Sequence, residues 1–225
     1  MLKGLILKDL YSIRFNLVMA LLISLFPNLA LILAGGGMAV GTPDYMKVLS
    51  VIPYGILNYL VITTFSSFVL NTLDSDKDCG WAKLVRSMPV SGGAIIGAKL
   101  ISTYIVIGIM TLVSLAFNSL GIILFGMDTE LMLALPICVG LLQVITLSPT
   151  FMLANRIGTK YTTAIYLALV ILIACAAVPV MVTGLCGDVS AAFLRITFYV
   201  GLPILAAAVA VLSYIVGKKQ NESDL

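Results

Sequence analysis

The sequence predicts an all-α integral membrane protein of six transmembrane helices, with an N-terminal interfacial helix and a cytosolic amphipathic helix between spans two and three. Three observations predict it. The chain is 61% hydrophobic and 10% charged over 225 residues, where soluble domains carry roughly 25% charged residues, and its mean hydropathy is +1.15. Its apolar residues fall in long runs. A bilayer core about 30 Å thick takes roughly 20 apolar residues per helix, so six spans with short connections use nearly the whole of one domain, 1–225. Between two of the runs lies a polar interruption, Leu73 to Leu100, unlike anything else on the chain.

Met1 to Arg14 is too polar to span and has no typical signal-peptide cleavage site. Leu2, Leu5, Ile6, Leu10 and Ile13 form an apolar stripe, with Lys3, Lys8 and Arg14 available to anionic headgroups. Asp9 falls on the apolar side, which leaves two readings open. Either the segment is a plain interfacial anchor, or Asp9 makes a specific ion pair with another cytosolic segment. Span one is expected over Phe15 to Ala34 and span two over Val48 to Asn71. Pro27 and Asn28 interrupt the first and Asn58 the second, and lipid cannot satisfy the polar groups they expose.

The interruption, 73–99, opens with Asp74, Asp76 and Asp78, residue types that favour helix N-termini. A short helix is expected next, because Trp81, Leu84, Val85 and Met88 fall at i, i+3, i+4 and i+7, while Lys83, Arg86 and Ser87 lie elsewhere on the wheel. Pro89 closes it, and Ser91 before Gly92 and Gly93 is placed to cap the helix that follows. Span three is expected over Leu100 to Phe125 with Asn118. Span four covers Leu131 to Leu153 with Pro136, Gln143 and Pro149, span five Tyr161 to Thr183 and span six Phe193 to Val216. Pro179, Gly184 and Gly187 would let the connection between the last two dip back into the membrane.

Several functions are excluded. The chain has no histidine, which removes Ser-His hydrolysis and HExxH zinc chemistry. It has no GxxxxGK[ST] loop, so it does not hydrolyse ATP in the P-loop manner. A net charge of +3 spread among loops makes no nucleic-acid surface. The cysteines Cys79, Cys138, Cys175 and Cys186 lack CxxC spacing and read as packing residues. No metal site, catalytic residue or cofactor is expected on this chain.

Lysine and arginine gather at one set of span ends, from Lys3, Lys8 and Arg14 through Lys77, Lys83, Arg86, Lys99, Arg156 and Lys160 to Lys218 and Lys219. Only Lys47 and Arg195 fall at the other, so both termini and the 73–99 segment are expected in the cytosol. The apolar stripe of that segment needs the membrane surface or a partner to cover it.

These features resemble the permease subunits of the ABC-2 transporter family: a Lys-Asp-Leu in an N-terminal interfacial helix, six spans, and a D-K-x-x-G-W-x-K-x-x-x-S-x-P-V-S pattern running from Asp76 to Ser91. Gly92 stands where many relatives carry arginine or lysine. The resemblance implies a bacterial cytoplasmic membrane and a dimer with an identical or homologous permease subunit. It implies docking of the 73–99 segment, as a coupling helix, on a separate cytosolic P-loop ATPase that uses ATP and Mg. Asp76, Lys77, Trp81, Lys83, Leu84, Val85, Arg86, Met88 and Pro89 would form that contact. Pro27, Asn28, Asn58, Asn118 and Gln143 are candidates for the pathway or the dimer interface, or they only pack helices. Short outer loops favour export, and mostly apolar walls suit amphipathic cargo such as a membrane-active peptide or a lipid-like molecule. The alternative is a secondary carrier or channel independent of ATP.

Overall fold

The computed structural model describes residues 2–39, 56–64, 66, 70, 72–73, 75–76, 78–81, 84, 90–125, 129–157, 161–172 and 197–223. Every regular element among them is helical. Helix α1 is Leu2–Ala39. Helix α2 covers 56–64, and residues 66, 70, 72–73, 75–76 and 78 are helical after it. Then come α3 (Gly92–Phe125), α4 (Thr129–Ile157) and α5 (Tyr161–Leu172), and α6 (Leu202–Ser223) is entered through a π-helical turn, Thr197–Gly201. Leu2–Phe26, Gly92–Leu124, Met132–Ala154 and Tyr199–Lys219 are long and apolar enough to cross a membrane. Leu22 and Phe26 on α1, Leu112 and Ile123 on α3, and Leu212 and Ile215 on α6 are exposed, as lipid-facing residues are.

The expected break between an interfacial helix and span one is absent, since Leu2–Ala39 is one continuous helix. Arg14 and Phe15 differ in polarity, but no glycine or proline lies near them to interrupt the amide ladder. Helix α3 begins at Gly92 rather than Leu100. Ser91 caps it as expected, its Oγ accepting the Ala94 amide at 3.3 Å.

Side-chain contacts fix the direction of each element. Asp9 near the start of α1 pairs with Lys99 near the start of α3, so those helices run the same way. Leu2 and Tyr214 both border Gly97, and Lys218 borders Gly93, which brings the end of α6 to the same end of the bundle. Asn58 bonds Asn118 far along α3 while Asp76 bonds Lys99, so α2 runs back towards that end. An added Cβ on Gly217 would meet the tips of Met152 and Ile96, so α6, α4 and α3 approach closely there. Ile13, Ala20, Ile62, Leu70, Leu73, Leu100, Ile107, Met110, Leu147, Phe151 and Tyr166 lie in one continuous core.

Candidate functional site

Four charges from three stretches of chain meet at the common end of α1 and α3. Lys8 and Asp9 come from α1, Asp76 from the polar interruption and Lys99 from α3. Lys99 Nζ lies 2.5 Å from Asp76 Oδ2 and 3.5 Å from Asp9 Oδ1. Lys8 Nζ lies 3.2 Å from Asp9 Oδ1 and bonds Asp76 Oδ1. Asp9 is 3% exposed and Asp76 6%, so neither carboxylate is solvated and each depends on two ammonium groups. Burying an ion costs several kcal/mol, which partners at this range can offset, and removing one partner typically costs about 3–5 kcal/mol. Among the described residues, two cations and two anions balance the cluster. It is therefore a stable joint between α1, α3 and the interruption. The position of Asp9 on the apolar side of its helix has its explanation here: that side faces Lys99, not lipid.

The interruption folds differently from its sequence expectation. Asp76 and Asp78 lie in helical residues that end, rather than begin, at Cys79 and Gly80; the Cys79 amide donates to Ser75 O at 3.1 Å. Gly80 has φ +69°, the left-handed conformation that an L side chain enters at a cost of roughly 1–2 kcal/mol. A carboxylate near a helix C-terminus opposes the dipole, and here Lys8 and Lys99 compensate it. Trp81 and Leu84 are helical again, with the Leu84 amide donating to Gly80 O at 3.2 Å. Lys8 Nζ sits 4.9 Å from the centroid of the half-buried Trp81 ring, a cation–π contact that attaches Trp81 to the charge cluster. Leu84 is 50% exposed. Cys79 is exposed rather than packed, because it lies at the helix end, while Cys138 is half-buried; Cys175 and Cys186 lie outside the described residues.

A second polar set runs through the interior. Asn58 Nδ2 donates to Asn118 Oδ1 at 3.2 Å, and Asn118 Nδ2 to Met132 O at 2.7 Å, linking α2, α3 and α4. Gln143 Nε2 donates to Thr63 Oγ1, and the Tyr166 hydroxyl donates to Gln143 Oε1, each at 2.7 Å, linking α4, α2 and α5. Tyr104 and Ser148 hydroxyls meet at 3.0 Å between α3 and α4. Asn28 bonds its own helix, Nδ2 to Ser24 O at 2.8 Å.

A family model described as ABC-2 family transporter protein matches residues 4–219. The chain belongs to the ABC-2 transporter family. A comparison with curated proteins finds no match. An ABC-2 permease is a membrane component of an ABC transporter, and the family in general pairs it with an ATPase subunit. Of the residues expected at the ATPase contact of this permease, Asp76 is buried in the charge cluster, Trp81 borders it and Leu84 is exposed. Lys77, Lys83, Val85, Arg86, Met88 and Pro89 lie outside the described residues, as do the Pro27 ring and the outer connection with Pro179, Gly184 and Gly187. Asn58 and Asn118 are brought together, Gln143 is bonded elsewhere, and all are fully buried within the permease, as is Asn28. Lys99, Thr63 and Tyr166 were not singled out from sequence. A lone lysine entering an apolar run signals the first; nothing local marks the other two.

Proposed function

We propose that this chain is the permease subunit of an ABC-type exporter, a six-span protein of the bacterial cytoplasmic membrane with both termini in the cytosol. It works as a homo- or heterodimer, coupled through 73–99 to a separate ATPase that uses ATP and Mg. The observation that carries this reading is the charge cluster within a chain whose family match runs almost end to end. A docking segment transmits work only if it is tied to the spans, and Asp76 and Trp81 tie this one to α1 and α3. The common end shared by α1, α3 and α6 supports the topology. Leu84, which is exposed, then meets the ATPase. Amphipathic cargo, a membrane-active peptide or lipid-like molecule, fits an interior whose polar groups at Asn58, Asn118 and Gln143 are neutral.

The test is site-specific crosslinking from Leu84→Cys in membranes containing the permease and the ATPase. A covalent permease–ATPase product is expected; labelling of lipid alone contradicts the proposal. With the pair reconstituted, amphipathic peptides or lipids should stimulate ATP hydrolysis. A response to sugars or hydrophilic drugs alone overturns the cargo assignment.

A further inference from the structure

Helices α1 and α3 run the same way from the charge cluster, and nineteen residues separate Asp9 from Asn28 just as nineteen separate Lys99 from Asn118. At 1.5 Å per residue this is roughly 28 Å, close to the thickness of the apolar core of a bilayer. Asn58 reaches the same level from α2 through its bond to Asn118. Three asparagines from three helices thus occupy one layer at the far end of the stack, all fully buried. One turn nearer the cluster lie Ser24 and Ser114, also fully buried.

The hydrogen bonds of this layer leave a definite remainder. The Met132 carbonyl can only accept, so the Asn118 amide must turn its nitrogen there and its oxygen to Asn58. Asn58 must then donate to that oxygen, which leaves Asn58 Oδ1 open. In Asn28 the Ser24 carbonyl likewise claims the nitrogen and leaves Oδ1 open. The amide orientations follow from this chemistry alone. Asn28 Oδ1, Asn58 Oδ1 and Ser114 Oγ have no hydrogen-bond partner among the described residues. Two of them can only accept; the third can donate. A buried polar group left unsatisfied costs about 1–3 kcal/mol.

From this remainder we infer that Asn28, Asn58 and Ser114 hold one buried water molecule between α1, α2 and α3. Its two hydrogens go to the amide oxygens and its oxygen accepts the Ser114 hydroxyl, matching these three open atoms with the three bonds that buried waters typically make; Ser66 Oγ, also without a partner, lies eight residues beyond Asn58 and outside this layer. The donation to Asn58 Oδ1 heads the chain that continues through Asn118 to Met132 O, in which each bond polarises the next. A sodium ion fits less well. Among the described residues only neutral side chains make the hydrogen bonds of this layer, and Ser114 would lose a hydrogen-bond acceptor. The water joins α1 to its neighbours where no direct side-chain bond does among the described residues, and α1 can part from them there by releasing a neutral molecule.

The test is a double-mutant cycle on the full chain in lipid nanodiscs, using Asn28→Ala and Ser114→Ala. These residues sit on different helices with no bond between them, so coupling requires a shared partner. Each single substitution should lower the melting temperature by about 2–4 °C, and the double by clearly less than the sum; strict additivity overturns the proposal. Should either variant fail to fold, a high-resolution map of the wild-type protein decides. Density within hydrogen-bond reach of all three atoms, identical in sodium and in choline buffers, is expected. No density, or density and thermal stabilisation that require sodium, contradicts it.

Discussion

Helices α1, α2 and α3 are joined at two polar levels of opposite construction. At one end, Asp9, Asp76, Lys8 and Lys99 form a balanced cluster of full charges, with both carboxylates doubly paired. At the other, Asn58 bonds Asn118 while Asn28 bonds its own helix, all neutral amides, with two oxygens unclaimed by any described side chain. Between them the three helices touch mostly through apolar side chains such as Ile13, Ala20, Ile62, Val106 and Met110. The charged joint is expensive to break because separated ions would each be left in low dielectric. The amide joint is cheap by comparison. A rocking motion of α1 would therefore pivot at the cluster and open at the asparagines, which fits the proposed coupling from the cluster end.

Substitutions can break this contrast, and the largest effect is expected at the cluster. Lys99→Met leaves Asp9 and Asp76 to share Lys8 and should destabilise the protein by about 3–5 kcal/mol, seen as a fall in folded yield and melting temperature. A loss below 1 kcal/mol would make the cluster an ordinary surface ion pair. Gly217→Ala brings a methyl against the flexible tips of Met152 and Ile96 where α6 closes on the same end; since those tips can shift, a cost of only about 1 kcal/mol is expected by thermal unfolding in detergent. At the neutral level, Asn118→Leu removes two hydrogen bonds but no charge. About 1 kcal/mol is expected, since interhelical hydrogen bonds in membranes average only ≈ 0.6 kcal/mol. A loss as large as that of Lys99→Met would erase the distinction.

Some of this architecture was legible in the sequence, for identifiable reasons. Ser91 before two glycines is a local cap signal, and its bond to Ala94 is local too. Asp9 on an apolar face left a plain interfacial anchor and a specific ion pair both open, and only the packed helices bring Lys99 to it. Polarity alone drew a boundary at Arg14 that the backbone ignores, because helix continuity depends on breakers rather than on hydropathy. The aspartates from Asp74 to Asp78 looked like N-caps, yet the glycine after Cys79 ends a helix there by adopting a positive φ, and both readings use the same residues. The pairing of Gln143 with Thr63 and Tyr166 was invisible, since it exists only once three helices distant in sequence are packed.

In the proposed coupling, the bond between Asp76 and Lys99 carries work from the ATPase contact into the spans. Asp76→Asn combined with Lys99→Met removes that bond while keeping the charges balanced, with Lys8 and Asp9 still paired. The decisive quantity is the cargo moved per ATP hydrolysed by the reconstituted permease–ATPase pair. Hydrolysis should persist while transport per ATP falls about tenfold, within the 5–150-fold range of typical coupling energies. An unchanged transport-to-hydrolysis ratio in a folded, assembled double variant would contradict the account.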